Sequence, residues 1–149
     1  MTGMDLPVRP GADVWYVWRD GDGISRQKKV QFADFELTTF IEGMTSIWKS
    51  DASPNPTKVF FLTLVPGVDY GWHENPAPQW IVPISGRWFV ETMDGARVEM
   101  GPGELSFGAD QNCRLMGEAK GHRSGAVGPE EAVLMLIQVE SDPFAERSL

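Results

Sequence analysis

Polar and apolar residues alternate along much of the chain with a period of two. Ala96, Val98 and Met100 interleave with Arg97, Glu99 and Gly101, the pattern of a strand with one buried face. Short stretches rich in β-branched and aromatic residues predict further strands at Trp15–Trp18, Lys29–Phe32, Phe35–Phe40, Thr45–Lys49 and Lys58–Val65. Others follow at Gln79–Ser85, Arg87–Met93, Ala96–Met100, Glu104–Phe107 and Ala132–Glu140. Turn residues punctuate them. Examples are Asp20-Gly21-Asp22-Gly23, the proline-rich link Ser50–Thr57, Ser85-Gly86-Arg87, and the Asp94-Gly95 step that favours a hairpin. No long stretch sustains the helical apolar period, so the pattern predicts an all-β sandwich or small barrel.

Composition narrows this picture. With 149 residues, the chain predicts one domain with a core of its own. A net charge of −8 disfavours nucleic acid and anionic membrane surfaces as partners, since both need a basic footprint. The longest apolar runs, Val59–Val65 and Ala132–Ile137, are far short of a membrane-spanning segment. The start, Met1–Pro7, lacks the basic and apolar blocks of a signal peptide. The lone Cys113 forbids an internal disulfide, and with no evident base beside it reads as a surface or packing residue. These features predict a cytoplasmic protein. The tail Ser141–Leu149, with Pro143 and mixed charge, is expected to be loosely held.

The chain has two histidines, His73 and His122. His73 follows the glycine-containing link Pro66–Trp72 and precedes Asn75, Gln79 and Gly86. The run Gly67, His73, Asn75, Gln79, Gly86 resembles the first motif of the cupin superfamily. In that motif a glycine, a His-x-His pair, a glutamate and a second glycine follow at fixed spacing. Asn75 stands at the second histidine and Gln79 at the glutamate. Gly95 with Pro102-Gly103-Glu104 resembles the opening of the second cupin motif, whose histidine arrives late here, as His122. The resemblance covers residues 58–140. It implies a cupin-like jelly-roll β-barrel of two antiparallel sheets. Residues 58–140 would form its core, and strands within residues 1–57 would add barrel wall and a dimer contact. The aromatic segments Trp15–Trp18 and Phe32–Phe40 are the expected contact of that homodimer.

For chemistry, the resemblance implies a pocket for a small organic molecule in the barrel mouth. His73, Gln79 and His122 are the candidate ligands of one divalent transition metal (zinc, iron, manganese or nickel). Replacing a carboxylate by an amide removes a negative charge and should weaken the hold on any such ion. The plainer alternative makes both histidines hydrogen-bonded polar pocket groups that titrate near neutral pH. Acid–base work then falls to His73 or His122, with Asn75 and Gln79 holding a substrate oxygen. Trp72 and Trp80 flank these positions and are candidates for the pocket wall, although aromatic residues more often fill a core. Arg87 is a candidate partner for a ligand carboxylate. Glu74 is expected to point away from His73, on the opposite face of a strand. No Gly-x-Ser-x-Gly elbow accompanies Ser124, and no glycine-rich loop opens a helix, which removes nucleophilic hydrolysis and phosphate cradling. The insertion Asp110–Gly121 is expected to form a mobile flap over the pocket.

Two readings of function remain. One is a cupin-type enzyme, an isomerase, cyclase, dehydratase or lyase, or one using metal-assisted chemistry. The other is a non-catalytic ligand-binding or sensory module that keeps the pocket without its metal. The expected ring-to-ring distance between His73 and His122 is roughly 3–6 Å, the reach of one bridging atom.

Overall fold

A computed structural model describes residues 10–39, 41–52 and 55–145. Among these, eleven strands and no helix are found, in agreement with the alternation of polar and apolar residues. They are β1 (Ala12–Arg19), β2 (Ser25–Phe32), β3 (Glu36–Thr38), β4 (Ile47–Lys49), β5 (Pro56–Leu64) and β6 (Gln79–Ser85). The rest are β7 (Trp88–Thr92), β8 (Arg97–Met100), β9 (Leu105–Ala109), β10 (His122–Ala126) and β11 (Ala132–Val139). No helix among the described residues is long and apolar enough to cross a membrane. The signal-peptide reading of Met1–Pro7 falls outside the described residues, as does Phe40.

The strands form a six-stranded sheet in the order β2-β1-β9-β6-β11-β5, a three-stranded sheet β10-β7-β8, and the hairpin β3-β4. The expected closed barrel of two antiparallel sheets is therefore corrected. The sheets are open, there are three, and β1 runs parallel to β9. Near the site, the loop before β6 meets β10 through a single isolated bridge, His73 with His122. Pro76 and Pro78, which have no amide hydrogen, follow immediately and cannot extend that ladder.

Two apolar cores lie on opposite faces of the large sheet. Val17, Ile81, Trp88, Val90, Leu134 and Leu136 fill the space toward the small sheet. Val14, Tyr16, Phe32, Trp80, Phe107 and Phe144 pack on the other side. Phe144 is completely buried, so residues 141–145 are docked rather than loose. Tyr16 Oη donates to the Asp142 carboxylate, and the Phe144 amide donates to Asp142 Oδ1 at 2.7 Å. Residues 146–149 of the expected loose tail lie outside the described residues.

Of the aromatic segments expected at a dimer contact, Tyr16 and Phe32 are buried, while Trp15, Trp18 and Phe35 are partly buried. Phe32 is buried and Phe35 packs edge-on against it, with ring centroids 6.0 Å apart. Trp18 stacks on Tyr16 at 5.6 Å, and Trp15 packs against the inter-sheet core. β1, buried between β2 and β9, has no free edge to offer.

Candidate functional site

Strand register builds the site. On the inner face of the large sheet, Gln79 pairs with Gln138 and Ile81 pairs with Leu136, while Leu136 and Leu134 pair with Phe60 and Leu62 on β5. Facing them on the small sheet, His122 pairs with Thr92, Ser124 with Val90, and Ala126 with Trp88. The space between holds a cavity of about 420 Å³, within the usual range for small-ligand sites. Its walls include Leu62, Leu64, Ile81, Trp88, Leu134 and Leu136, and its polar end carries His73, Glu74, Asn75, Gln79 and His122.

The two histidines are joined by their own backbones. The His73 amide donates to the His122 carbonyl at 2.9 Å, and the His122 amide returns to the His73 carbonyl at 2.8 Å. This brings the ring centroids to 4.6 Å, within the expected distance. Gly121 makes the close approach possible. Its φ is +80°, and a Cβ there would collide with the His73 carbonyl oxygen.

The Nδ1 contacts fix the neutral tautomers. Gly71 O accepts from His73 Nδ1 at 3.0 Å, since a carbonyl can only accept. Asp110 Oδ2 accepts from His122 Nδ1 at 2.6 Å. With the proton on Nδ1, the neutral form of each ring has its lone pair on Nε2. Burial and the neighbouring His122 charge hold His73 below its usual 6.5. Burial of Asp110 opposes its ionisation, but the bonds from His122 and Asn75 outweigh this, and its carboxyl lies below the usual 3.8.

Asp110 organises the polar end. It is fully buried, and its Oδ1 accepts from both the amide and the Nδ2 of Asn75, each at 2.9 Å. Asn75 Oδ1 accepts from Gln79 Nε2 at 2.6 Å, and Gln79 Oε1 accepts from Gln138 Nε2 at 3.2 Å. A side chain on residue 108 would run into the Asn75 amide, so Gly108 leaves the room that this chain of bonds occupies.

Of the residues singled out in the sequence, His73, Asn75, Gln79 and His122 meet at one end of the cavity. Three others lie elsewhere. Trp80, next to Gln79 on β6, points to the opposite face and packs on Phe107 at 5.1 Å and Phe144 at 5.6 Å. Trp72 does not line this cavity; the Arg123 guanidinium sits 5.8 Å from its ring centroid. Arg87 lies away from the cavity, half-exposed, with Nη1 3.8 Å from Glu104 Oε1.

Glu74, expected to face outward, instead lines the cavity, and its Oε2 accepts from the Cys113 amide at 2.7 Å. His73 to Pro76 is not a continuous strand, so alternation does not govern it. The Asp110–Gly121 loop packs at the site but is tied at its base. Gln111 Nε2 donates to Asn75 O at 3.0 Å, and the Arg114 amide to Gly23 O at 2.7 Å. Cys113 is buried in it, and burial with the Asp110 charge pushes its thiol up to about 11. Such a thiol packs and does not attack.

The donor set offers little to a metal ion. Among the described residues, no three His, Cys, Asp or Glu side chains come together as a ligand group. Both Asp110 oxygens are engaged, and Gln79 uses its amide on Asn75 and Gln138. That leaves two neutral imidazoles, one hydrogen-bonded amide oxygen and Glu74, whose Oε2 already accepts from the Cys113 amide, a set that fits a resident divalent ion poorly.

No family model matches the chain, and no curated protein matches it. Among solved structures, the crystal structure of protein NMB1881 from Neisseria meningitidis is similar over 55% of this chain and 72% of that one. The identity is 21% and the TM-score 0.42.

Proposed function

We propose that this chain is a cupin-type enzyme that moves protons on a small organic molecule held between its sheets. The reaction class is that of an isomerase, cyclase, dehydratase or lyase. One observation carries the reading: a buried Asp110–His122 pair stands beside a second imidazole at the polar end of an apolar cavity. A single histidine can take a proton, but an isomerisation or elimination needs one group to take it and another to give it back.

His73, neutral at neutral pH, takes a proton on Nε2. His122 carries an Nε2 proton only as the imidazolium, in which form it gives that proton to the substrate, and the Asp110 carboxylate bonded to Nδ1 holds the ring in place and stabilises that charged form. Gln79 spends one Nε2 hydrogen on Asn75 and has a second for a substrate oxygen. Asn75 is a positioning residue, since its amide and backbone bind Asp110 and Gln79.

The test is hydrogen exchange at carbon. The protein is incubated in deuterium oxide with a panel of small aldehydes, ketones and hydroxy acids, and proton NMR follows the carbon next to the carbonyl or hydroxyl. Exchange above buffer is expected, reduced at least about 100-fold by His122→Gln or His73→Gln. Asp110→Asn should reduce it as well. Exchange untouched by both histidine substitutions, or none on any compound, overturns the proposal. Binding without exchange would point instead to a ligand-binding or sensory module.

A further inference from the structure

We infer that the site selects an uncharged, apolar-bodied ligand, about 10 Å long, whose one polar head is a carbonyl or enol oxygen placed at the histidine pair. The inference rests on the proton-transfer reading and adds the substrate class.

Length and polarity follow from register. From His122 to Ala126, the residue paired with Trp88, β10 advances four residues, or about 13 Å. Across the gap, the Gln79–Gln138 pair gives way to Ile81–Leu136 and then to Leu134–Leu62. The cavity is therefore polar at one end and apolar beyond it. Beyond Ser124, a ligand with a charged or hydrogen-donating group at its far end would bury it against leucines, where the Trp88 indole N–H, unpartnered among the described residues, can meet only an acceptor.

Charge narrows the class. Among the described residues, no lysine or arginine lines the cavity. An anionic ligand would lose its hydration beside Glu74, in a protein of net charge −8, and the one cation it could meet, a protonated His122, is already paired with Asp110. A cation finds no free carboxylate at Asp110, whose two oxygens serve Asn75 and His122. Glu74 offers a cation Oε1 alone, since its Oε2 already accepts from the Cys113 amide. A neutral carbonyl needs only what the polar end supplies: one Gln79 N–H and the two imidazoles.

Three probes of nearly equal size test this: 4-phenylbutan-2-one, 4-phenylbutanoate and 3-phenylpropylammonium. Binding is measured by calorimetry at pH 8, and methyl NMR of Leu62, Ile81, Leu134 and Leu136 reports the place. The ketone is expected to bind at least tenfold more tightly than either ion and to shift those methyl signals. Leu62→Trp, at a half-buried position on β5, should remove binding while the remaining methyl spectrum shows the fold intact. If that variant does not fold, Leu134→Phe serves the same purpose. Either ion binding as tightly as the ketone, shifts confined to other methyls, or no binding at all overturns the inference. Ketone binding without exchange at its α-carbon overturns the proton-transfer reading and leaves the ligand class in place. Exchange found only with charged substrates does the reverse.

Discussion

The two imidazoles lie 4.6 Å apart, close enough for a charge on one to disfavour a charge on the other. His73, exposed as a residue but with its ring partly desolvated at the cavity end, feels this as well, so its pKa falls below 6.5. A base whose pKa is lower folded than unfolded binds fewer protons in the native state. Its contribution to stability is therefore complete above pH 6.5 and is lost as pH falls from there toward the native value. We expect the His73 ring protons to titrate by NMR with a midpoint below 6.5. In His122→Gln the midpoint should rise, but not fully to 6.5, because burial persists. A midpoint unmoved by that change would show that His122 exerts no charge effect on its neighbour. Asp110 works in a separate window. Its depressed pKa stabilises the fold above the ordinary carboxylate value, and that contribution disappears only in stronger acid. Of these residues, His73 and His122 were legible as motif positions, and Gln79 and Asn75 came with them. Asp110 was not, because a buried acid is recognised by its partners, and His122 and Asn75 reach it only after folding. Trp80 turns away from the cavity because adjacent residues on a strand face opposite ways and Gln79 occupies the cavity side.

Among the elements, the tail shows best how a short segment can be tied into a core. Phe144 lies within 5.2 Å of Tyr16, 5.4 Å of Phe107 and 5.6 Å of Trp80, measured between ring centroids. Phe144→Ala should cost about 3–5 kcal/mol, read as a lower urea midpoint with little change in slope. A cost below about 1 kcal/mol would mean that the outer core closes without the tail. Nothing in the tail sequence announces this. One phenylalanine among polar residues has no periodicity, and Pro143 suggests a break where it makes a turn. Strand strength followed the same logic. β6 was predicted with its observed limits, Gln79–Ser85, because its residues are strand-forming and flanked by turns. β10, His122–Ala126, was missed because His-Arg-Ser-Gly-Ala carries no β-branched or aromatic residue. It is a strand because β7 offers it a ladder. The β1–β9 parallel pairing was hidden for a related reason, since register between distant strands is set by packing in three dimensions.

At the scale of the molecule, the open sheets leave an edge that a closed barrel would have removed. Among the described residues β5 pairs only with β11, which leaves its other side as a sheet edge. The same strand exposes Val59 and Phe61, the latter 64% accessible. Long apolar edges of this kind promote association, and an antiparallel strand can meet its own copy across a two-fold axis. We expect a homodimer joined at β5 rather than at the aromatic segments near the N-terminus, whose rings pack in large part against the chain's own cores. Sedimentation of the wild-type protein should give a mass near 33 kDa, twice the 16.5 kDa chain, that falls toward the monomer on dilution. Phe61→Lys should give the monomer at every concentration. Because Phe61 faces solvent within one chain, that change should alter monomer stability by no more than about 0.5 kcal/mol. A wild-type monomer, or a Phe61→Lys protein that remains dimeric, would remove β5 from the interface. The cavity lines β5 from its inner face, through Phe60, Leu62 and Leu64, while Phe61 projects to the outer one. A β5 dimer would therefore hold one wall of the ligand site in place, and Phe61→Lys should loosen ketone binding even though residue 61 never touches the ligand.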